Sequence, residues 1–264
     1  MLKKRSISLS GHRTSVAQTK SRRPCASGCH DDDGFVIEQN NATGGISFWE
    51  RRDNQSVADR QGISLVDYIH AMYGFLRQAK CCHVLMIGCG GGTLATMLRH
   101  AGVKVTIADI DGRNFEIART YFHMPEDVEC HVADGRDFLR RDSRRYDAIV
   151  LDAYTDNAMP KHFLTRAFFD LVKARLKARN AVVLVNLMAT GDEDRGPDRF
   201  AQLMRKTWTR VRLLDSEGCE GRNVVAAAGA VRKLKRPRLV LRPQRCAKSL
   251  AAELKAMDFR ELRA

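Results

Sequence analysis

Three aspartates end short apolar runs in this chain. Asp109 closes V-K-V-T-I-A-D, Asp134 follows Val128 to Val132 through Ala133, and Asp152 closes A-I-V-L-D. A carboxylate drawn out of water is costly unless it meets a partner. Three of them at the ends of successive strands therefore call for a ligand that supplies hydroxyls, an amine or a positive charge. A carboxylate placed there can also take the proton of a nucleophile. Beside them lies a glycine cluster, Gly88, Gly90, Gly91 and Gly92, in G-C-G-G-G-T. Glycine lets a backbone turn sharply and approach a ligand with no Cβ in the way.

The elements that must position these residues follow from the pattern around them. Val84 to Ile87 is an apolar run of buried-strand type. Leu94, Met97 and Leu98 follow the glycines at helical spacing, and Val103 to Ala108 is a second strand. The start of that helix offers free N–H groups, and Asp109 can accept bonds from two ribose hydroxyls. The dinucleotide fingerprint wants glycine at its first, third and sixth positions. Thr93 holds the sixth, so NAD does not fit, whereas G-x-G-x-G with Asp109 suits S-adenosylmethionine. The plain alternative is a tight βα turn without a ligand, each acid serving only as a helix N-cap.

Further along, the chain alternates. Strands are expected at 128–132, 148–151 and 181–187, and helices near 112–122, around Phe138, and over 163–177 and 198–207. Strands 210–214 and 223–229 are joined by too few residues for a crossover helix and must pair antiparallel. Ahead of this body, Phe35–Glu38 and Ile46–Trp49 flank an Asn/Gly cluster and read as a hairpin. Residues 51–62 read as a polar loop, and 64–77 as a helix. The fold class is therefore α/β: a Rossmann-like sheet of seven strands, the last antiparallel, with a small N-terminal β-hairpin region.

The formal net charge is +14 over 264 residues. Residues 1–30 hold seven Lys/Arg and no acid, and 232–264 hold eleven against three acids, which leaves the body between them near neutral. Four segments result: a basic tail at 1–33 expected to be disordered, a hairpin region at 34–62, an α/β catalytic domain at 63–231, and a basic extension at 232–264. Because charge and core separate so cleanly, both ends are expected to be dispensable, with a weak nucleic-acid contact as their functional reading. No apolar run reaches transmembrane length, and no apolar segment follows the basic N-terminus. The eight cysteines suit a reducing cytoplasm. Cys25-x3-Cys29-His30 lacks a second ligand pair at zinc-finger spacing, so no metal is expected.

The runs G-C-G-G-G-T-L, A-D-I-D, A-D-G-R-D-F-L, Y-D-A-I-V-L-D-A-Y-T and M-P-K-H-F-L-T-R-A-F-F-D-L-V-K-A-R-L resemble the spermidine synthase (polyamine aminopropyltransferase) family over about residues 35–230. The resemblance implies that Gly88, Gly90 and Gly92 line a cofactor loop and that Asp109, with Asp111 behind it, holds the ribose. It implies that Asp134 and Gly135 contact adenine and that Asp152 is the base for an attacking amine. By the resemblance Gln55 and Tyr68 match gate residues, Gln55 on the cofactor side; apart from the resemblance, Tyr68 and His70 are candidate acceptor contacts. Two departures stand out. The family's loop reads G-G-G-D-G, with an acid where this chain has Gly91. After the fourth strand the family reads D-x-x-D-P-x-G-P-A, where this chain has Asp152-Ala-Tyr154-Thr-Asp156 and one more residue before Pro160.

The expected function is aminopropyl transfer to an amine acceptor from decarboxylated S-adenosylmethionine, or a transfer from S-adenosylmethionine itself. Asp152, Asp156 and Tyr154 would serve the acceptor in a homodimeric, cytoplasmic enzyme with no membrane contact. The first alternative is a methyltransferase of unknown acceptor, favoured by Gly91. The second is a non-catalytic protein that contacts nucleic acid through its basic ends.

Overall fold

The computed structural model describes residues 35–40, 44–50, 53–155 and 158–263. The expected 1–33 tail and Asp156 lie outside them.

Three short strands open the chain: β1 (Phe35–Gln39), β2 (Ile46–Glu50) and β3 (Asp53–Ala58), antiparallel in the order β1-β2-β3. The third strand replaces the polar loop expected there. D-N-Q-S-V-A has no apolar alternation to reveal it, because β3 is an edge strand with little to bury. Helix α1 (Asp67–Gln78) then leads into the main body: β4 (His83–Ile87), α2 (Thr93–His100), β5 (Lys104–Asp109), α3 (Arg113–Phe122), β6 (Glu129–Val132), α4 (Gly135–Arg141) and β7 (Ala148–Leu151). A 3-10 turn, Lys161–Phe163, precedes α5 (Arg166–Ala174), which is shorter at both ends than the helix expected over 163–177. Then come β8 (Val182–Ala189), α6 (Gly196–Arg205), β9 (Val211–Asp215), β10 (Arg222–Gly229), α7 (Ala247–Ala256) and β11 (Asp258–Arg260).

The main sheet runs β11-β9-β10-β8-β7-β4-β5-β6. Pairings β6–β5–β4–β7–β8 are parallel, and β10 lies antiparallel between β8 and β9. This is the expected seven-strand sheet with an eighth strand, β11, added antiparallel at the β9 edge. Strand order reverses between β4 and β7, which makes the carboxyl ends of these two the switch point where an open α/β sheet binds ligands.

Both faces of the sheet are covered, so its central strands are apolar on both sides. Val84, Met86, Ile107 and Val150 pack with Phe75, Leu76, Leu94 and Leu98 of α1 and α2. Leu85, Ile87, Ile149 and Leu151 pack with Phe138, Phe168, Phe169 and Phe200 of α4, α5 and α6. The small sheet forms a third cluster, Phe35, Ile46, Phe48 and Ala58, closed by Phe122 from α3.

The C-terminal segment is not the separable extension expected from its charge. Leu250, Leu254 and Met257 are buried, and the last two belong to the same core as α1 and α2. Phe259 stacks on Phe75 with ring centroids 5.7 Å apart. Arg260 on β11 reaches Asp215 at 2.6 Å and Asp198 at 2.7 Å, both carboxylates almost wholly buried. Burial pushes both carboxyls up, but the guanidiniums of Arg260 and, at Asp215, Arg222 hold them below the ordinary carboxylate range. No helix among the described residues is long and apolar enough to cross a membrane.

Candidate active site

The loop after β4 needs its glycines. Gly88, Gly90 and Gly92 have φ of +96°, +49° and +65°, a region costly to residues with a Cβ. A Cβ at Gly88 would lie 2.1 Å from the Asp152 carbonyl oxygen, so the loop and the end of β7 are in direct contact. Gly91 has an ordinary backbone. Its amide donates to Ser56 Oγ at 2.8 Å, and a Cβ there would meet Ser56 Cβ at 2.7 Å. Strand β3 thus lies over the glycine loop, and Gln55, expected at the cofactor, sits there with its carbonyl 3.3 Å from where a Cβ on Gly90 would be.

Asp109 is buried at the end of β5. Its Oδ2 accepts from the Cys89 amide at 2.7 Å, and its Oδ1 accepts from the Asp111 amide at 2.8 Å and from Asn114 Nδ2 at 3.2 Å. Burial pushes its carboxyl up against the pull of these bonds. The carboxylate therefore holds the loop in shape, and Oδ2, with one donor, keeps a lone pair for a ligand hydroxyl. Asp111 is engaged by Arg113 at 2.6 Å, which holds its carboxyl below the ordinary range.

Asp134 caps α4, accepting from the Arg136 and Asp137 amides at 2.9 and 3.1 Å. The N-cap reading of this acid is therefore correct, and its other oxygen lies 2.9 Å from His162 Nε2. Gly135 begins the helix against β4, where a Cβ would fall 2.3 Å from Ile87 Cγ2. Ile110 and Val132, next to the ends of β5 and β6, are 75% and 67% exposed. They flank Asp109 and Asp134 and offer uncovered apolar surface at the carboxyl end of the sheet.

Across the switch point, Asp152 accepts from the Tyr68 hydroxyl at 3.1 Å and from Asn186 Nδ2 at 2.9 Å. Burial raises its pKa, and the Asn186 and Tyr68 bonds oppose the rise. Burial and the charge of Asp152 push the Tyr68 phenol well up, so it stays a donor. The Asn186 amide oxygen is buried with no partner among the described residues, and its backbone carbonyl accepts from the Tyr154 hydroxyl at 2.8 Å. Tyr154 also lines a cavity of about 200 Å³ with Met159, Leu187, Met188, Pro197 and Phe200.

The structure thus brings together the glycines, Asp109, Asp152, Tyr154, Gln55 and Tyr68. His70 is not among them: two residues from Tyr68 on a helix, it is buried on another face with Nε2 2.7 Å from the Ser64 carbonyl oxygen. Burial lowers its pKa, so it is a neutral core residue. Sequence reasoning missed Asn186, Ser56, His162 and the Ile110–Val132 pair. Asn186 did leave a signal, as the one polar residue in V-V-L-V-N-L-M-A, where a buried amide must find a partner. Among the described residues no group of three or more His, Cys, Asp or Glu could hold a metal ion.

Residues 84–177 match a methyltransferase domain. The chain is 30% identical over 139 residues to polyamine aminopropyltransferase 2 of Pseudomonas aeruginosa, covering 48% of this chain and 40% of that one. It is also 30% identical over 129 residues to an N-terminal histidine N-methyltransferase of Emericella nidulans, covering 47% and 23%. The matches span less than half the length of these curated relatives. Among solved structures, a probable spermidine synthase from Corynebacterium glutamicum superposes with a TM-score of 0.70 at 17% identity, over 91% of this chain and 92% of that one. In sequence the chain is similar to polyamine aminopropyltransferases and to an N-methyltransferase, and it shares the fold of the probable spermidine synthase.

Proposed function

We propose that this protein is a transferase that moves an aminopropyl group from decarboxylated S-adenosylmethionine to an amine acceptor, with Asp152 as base. The observation that carries the reading is the placement of Asp152: a half-buried carboxylate at the switch point, against the glycine loop and held by Tyr68 and Asn186.

The residues fit such a co-substrate. The left-handed glycines hold the loop tight against the end of β7, Asp109 keeps an open lone pair, and Ile110 and Val132 give an adenine two apolar surfaces. When bound, the sulfonium supplies an electrophilic carbon and a neutral thioether leaving group. The chain's own task is then to prepare the nucleophile. Asp152 takes the amine proton; its raised pKa makes it a stronger base than an exposed aspartate. The unpartnered Asn186 oxygen accepts a second N–H of the amine and orients it. The cavity beyond Tyr154 receives the body of the acceptor.

Asp152→Asn keeps the shape and removes the basicity. Turnover should fall by about 10²–10⁴-fold, the usual contribution of a positioned base, while calorimetry shows co-substrate affinity little changed. Near wild-type turnover in this variant would place the base elsewhere.

One observation favours a second reading, methyl transfer from intact S-adenosylmethionine. Gly91 stands where the family has an acid, and Ser56 fills the space a side chain there would need. The ligand's carboxylate would then meet no like charge at this position. The product separates the two: methylthioadenosine from aminopropyl transfer, S-adenosylhomocysteine from methyl transfer.

A further inference from the structure

Between Val231 and Ala252 the chain has eight Lys/Arg and no acid. This stretch is an ordered strap rather than a tail. The Lys235 amide donates to Gln78 Oε1 at 2.8 Å, and Gln78 Nε2 donates to the Lys235 carbonyl at 3.0 Å. Pro237 lies on α1 at Gly74, where a Cβ would come within 3.0 Å of it. At the far end the Gln244 amide donates to Asp59 Oδ2 at 2.9 Å. Leu234, Pro237 and Pro243 are buried beneath the strap, and Leu239 and Leu241 pack on the core.

With the apolar residues turned inward, the cations are left outside. Arg232, Lys233, Lys235, Arg236, Arg238, Arg242, Arg245 and Lys248 are all exposed. Arg236 pairs with Asp258 at 3.3 Å; the other seven make no ion pair among the described residues. Other exposed cations are unpaired too, such as Lys80, Arg141, Arg205 and Lys206, but nowhere else among the described residues do eight Lys/Arg follow one another without an acid between them. A fixed row of like charges repels itself and disfavours the compact state. Packing does not require these side chains, since each points away from the core.

We propose that the strap is a binding surface for the phosphate backbone of a double-stranded nucleic acid. At no more than about 3.1 Å per residue, Lys235 to Arg245 spans at most roughly 30 Å, shortened by bends at Leu241 and at Gln244 to Cys246, and its cations at Lys235, Arg238, Arg242 and Arg245 lie at most about 9–12 Å apart along the chain. A duplex presents phosphates along that whole length. Residues 232–256 contain no Phe, Tyr or Trp, so the strap lacks the stacking platforms used on single strands. Val240 is its one exposed large apolar side chain, too little for the inserted face of a membrane-surface segment. The contact is therefore to backbone and independent of base sequence.

The test uses the full chain, which keeps the basic residues 1–30 in every arm. Fluorescence anisotropy with labelled duplex DNA and duplex RNA is read at 50 and 200 mM salt, beside flotation with phosphatidylserine vesicles. The variant Lys235→Ser/Arg238→Ser/Arg242→Ser/Arg245→Ser removes four unpaired, exposed cations. Wild type should bind a duplex and lose about 100-fold in affinity across that salt range, if these four each meet a phosphate. The variant should bind at least tenfold more weakly at 50 mM, with a shallower salt slope by about 3–4 and an unchanged melting temperature. Absence of duplex binding at 50 mM, equal binding by the variant, or binding to the vesicles alone would each overturn the proposal.

Discussion

Asp152 is pulled in opposite directions by its surroundings, and the balance can be measured. Burial favours its neutral form, while the Asn186 amide and the Tyr68 hydroxyl favour the charged one. Tyr68→Phe removes one donor to a charged acceptor, a loss of about 1.5–3 kcal/mol. That corresponds to about one to two pH units. The sign follows from the chemistry: a carboxylate that loses a donor binds its proton more tightly, so its pKa rises further. The acid limb of kcat/KM against pH should move to higher pH in Tyr68→Phe. A limb that stays in place or moves down would show that Asp152 is not the titrating base. Asp109 needs a different expectation. Its carboxylate holds two loop amides and Asn114 as well as any ribose, so Asp109→Ala should lower both co-substrate affinity and the melting temperature. A loss of affinity with no loss of stability would mean that the loop keeps its shape without this acid.

At the scale of elements, charge pattern and packing pattern point in different directions at the C-terminus. The segment after Val231 reads as a basic extension, yet α7 and β11 complete the core and the sheet. Arg260 is the connection that matters most, because it pairs with two buried carboxylates at once. Removing one partner of a buried pair leaves uncompensated charge and typically costs about 3–5 kcal/mol. Arg260→Leu should therefore lower stability by about that amount in urea unfolding; a loss below about 1 kcal/mol would show that β11 is an ornament on the edge. The parallel core was legible because its strands are buried on both faces and read as unbroken apolar runs, from Val84–Ile87 to Ala148–Leu151. β3 and β11 were not, because a polar edge strand and a three-residue strand carry no period. The ends of the core strands gave the acids, whereas Ser56, Asn186 and His162 lie far from the loop in sequence and meet the site only through the fold. The charge run at 232–248 was visible, but nothing in it disclosed that it is anchored to α1 at Lys235 and Pro237 and to Asp59 at Gln244.

At the scale of the molecule, the small sheet and the α/β body meet over the glycine loop, and that junction bears on which form of the co-substrate fits. Ser56 on β3 accepts the Gly91 amide and stands where a side chain at position 91 would go. A Cβ at 91 would lie 2.7 Å from Ser56 Cβ and 3.1 Å from Phe122 Cδ2. Gly91 itself has φ in the ordinary region, so the backbone would tolerate aspartate and only its neighbours, Ser56 closest, resist it. An acid at 91 and the hydroxymethyl of Ser56 therefore exclude one another. Gly91→Asp alone should weaken binding of both co-substrate forms, because relief of the clash must push β3 off the loop. Adding Ser56→Gly opens the space. The double variant should then recover affinity for the decarboxylated form, whose ammonium the new carboxylate can pair, and recover less for the intact form, whose carboxylate it repels. Groups in contact couple by about 0.5–3 kcal/mol, so the ratio of the two affinities should move by several-fold to about a hundredfold between wild type and double variant. Calorimetry with both forms on all four proteins of the cycle reads it. Additive effects of the two substitutions would mean that Ser56 does not set the shape of the loop, and that the absence of an acid at 91 has its cause within the loop itself.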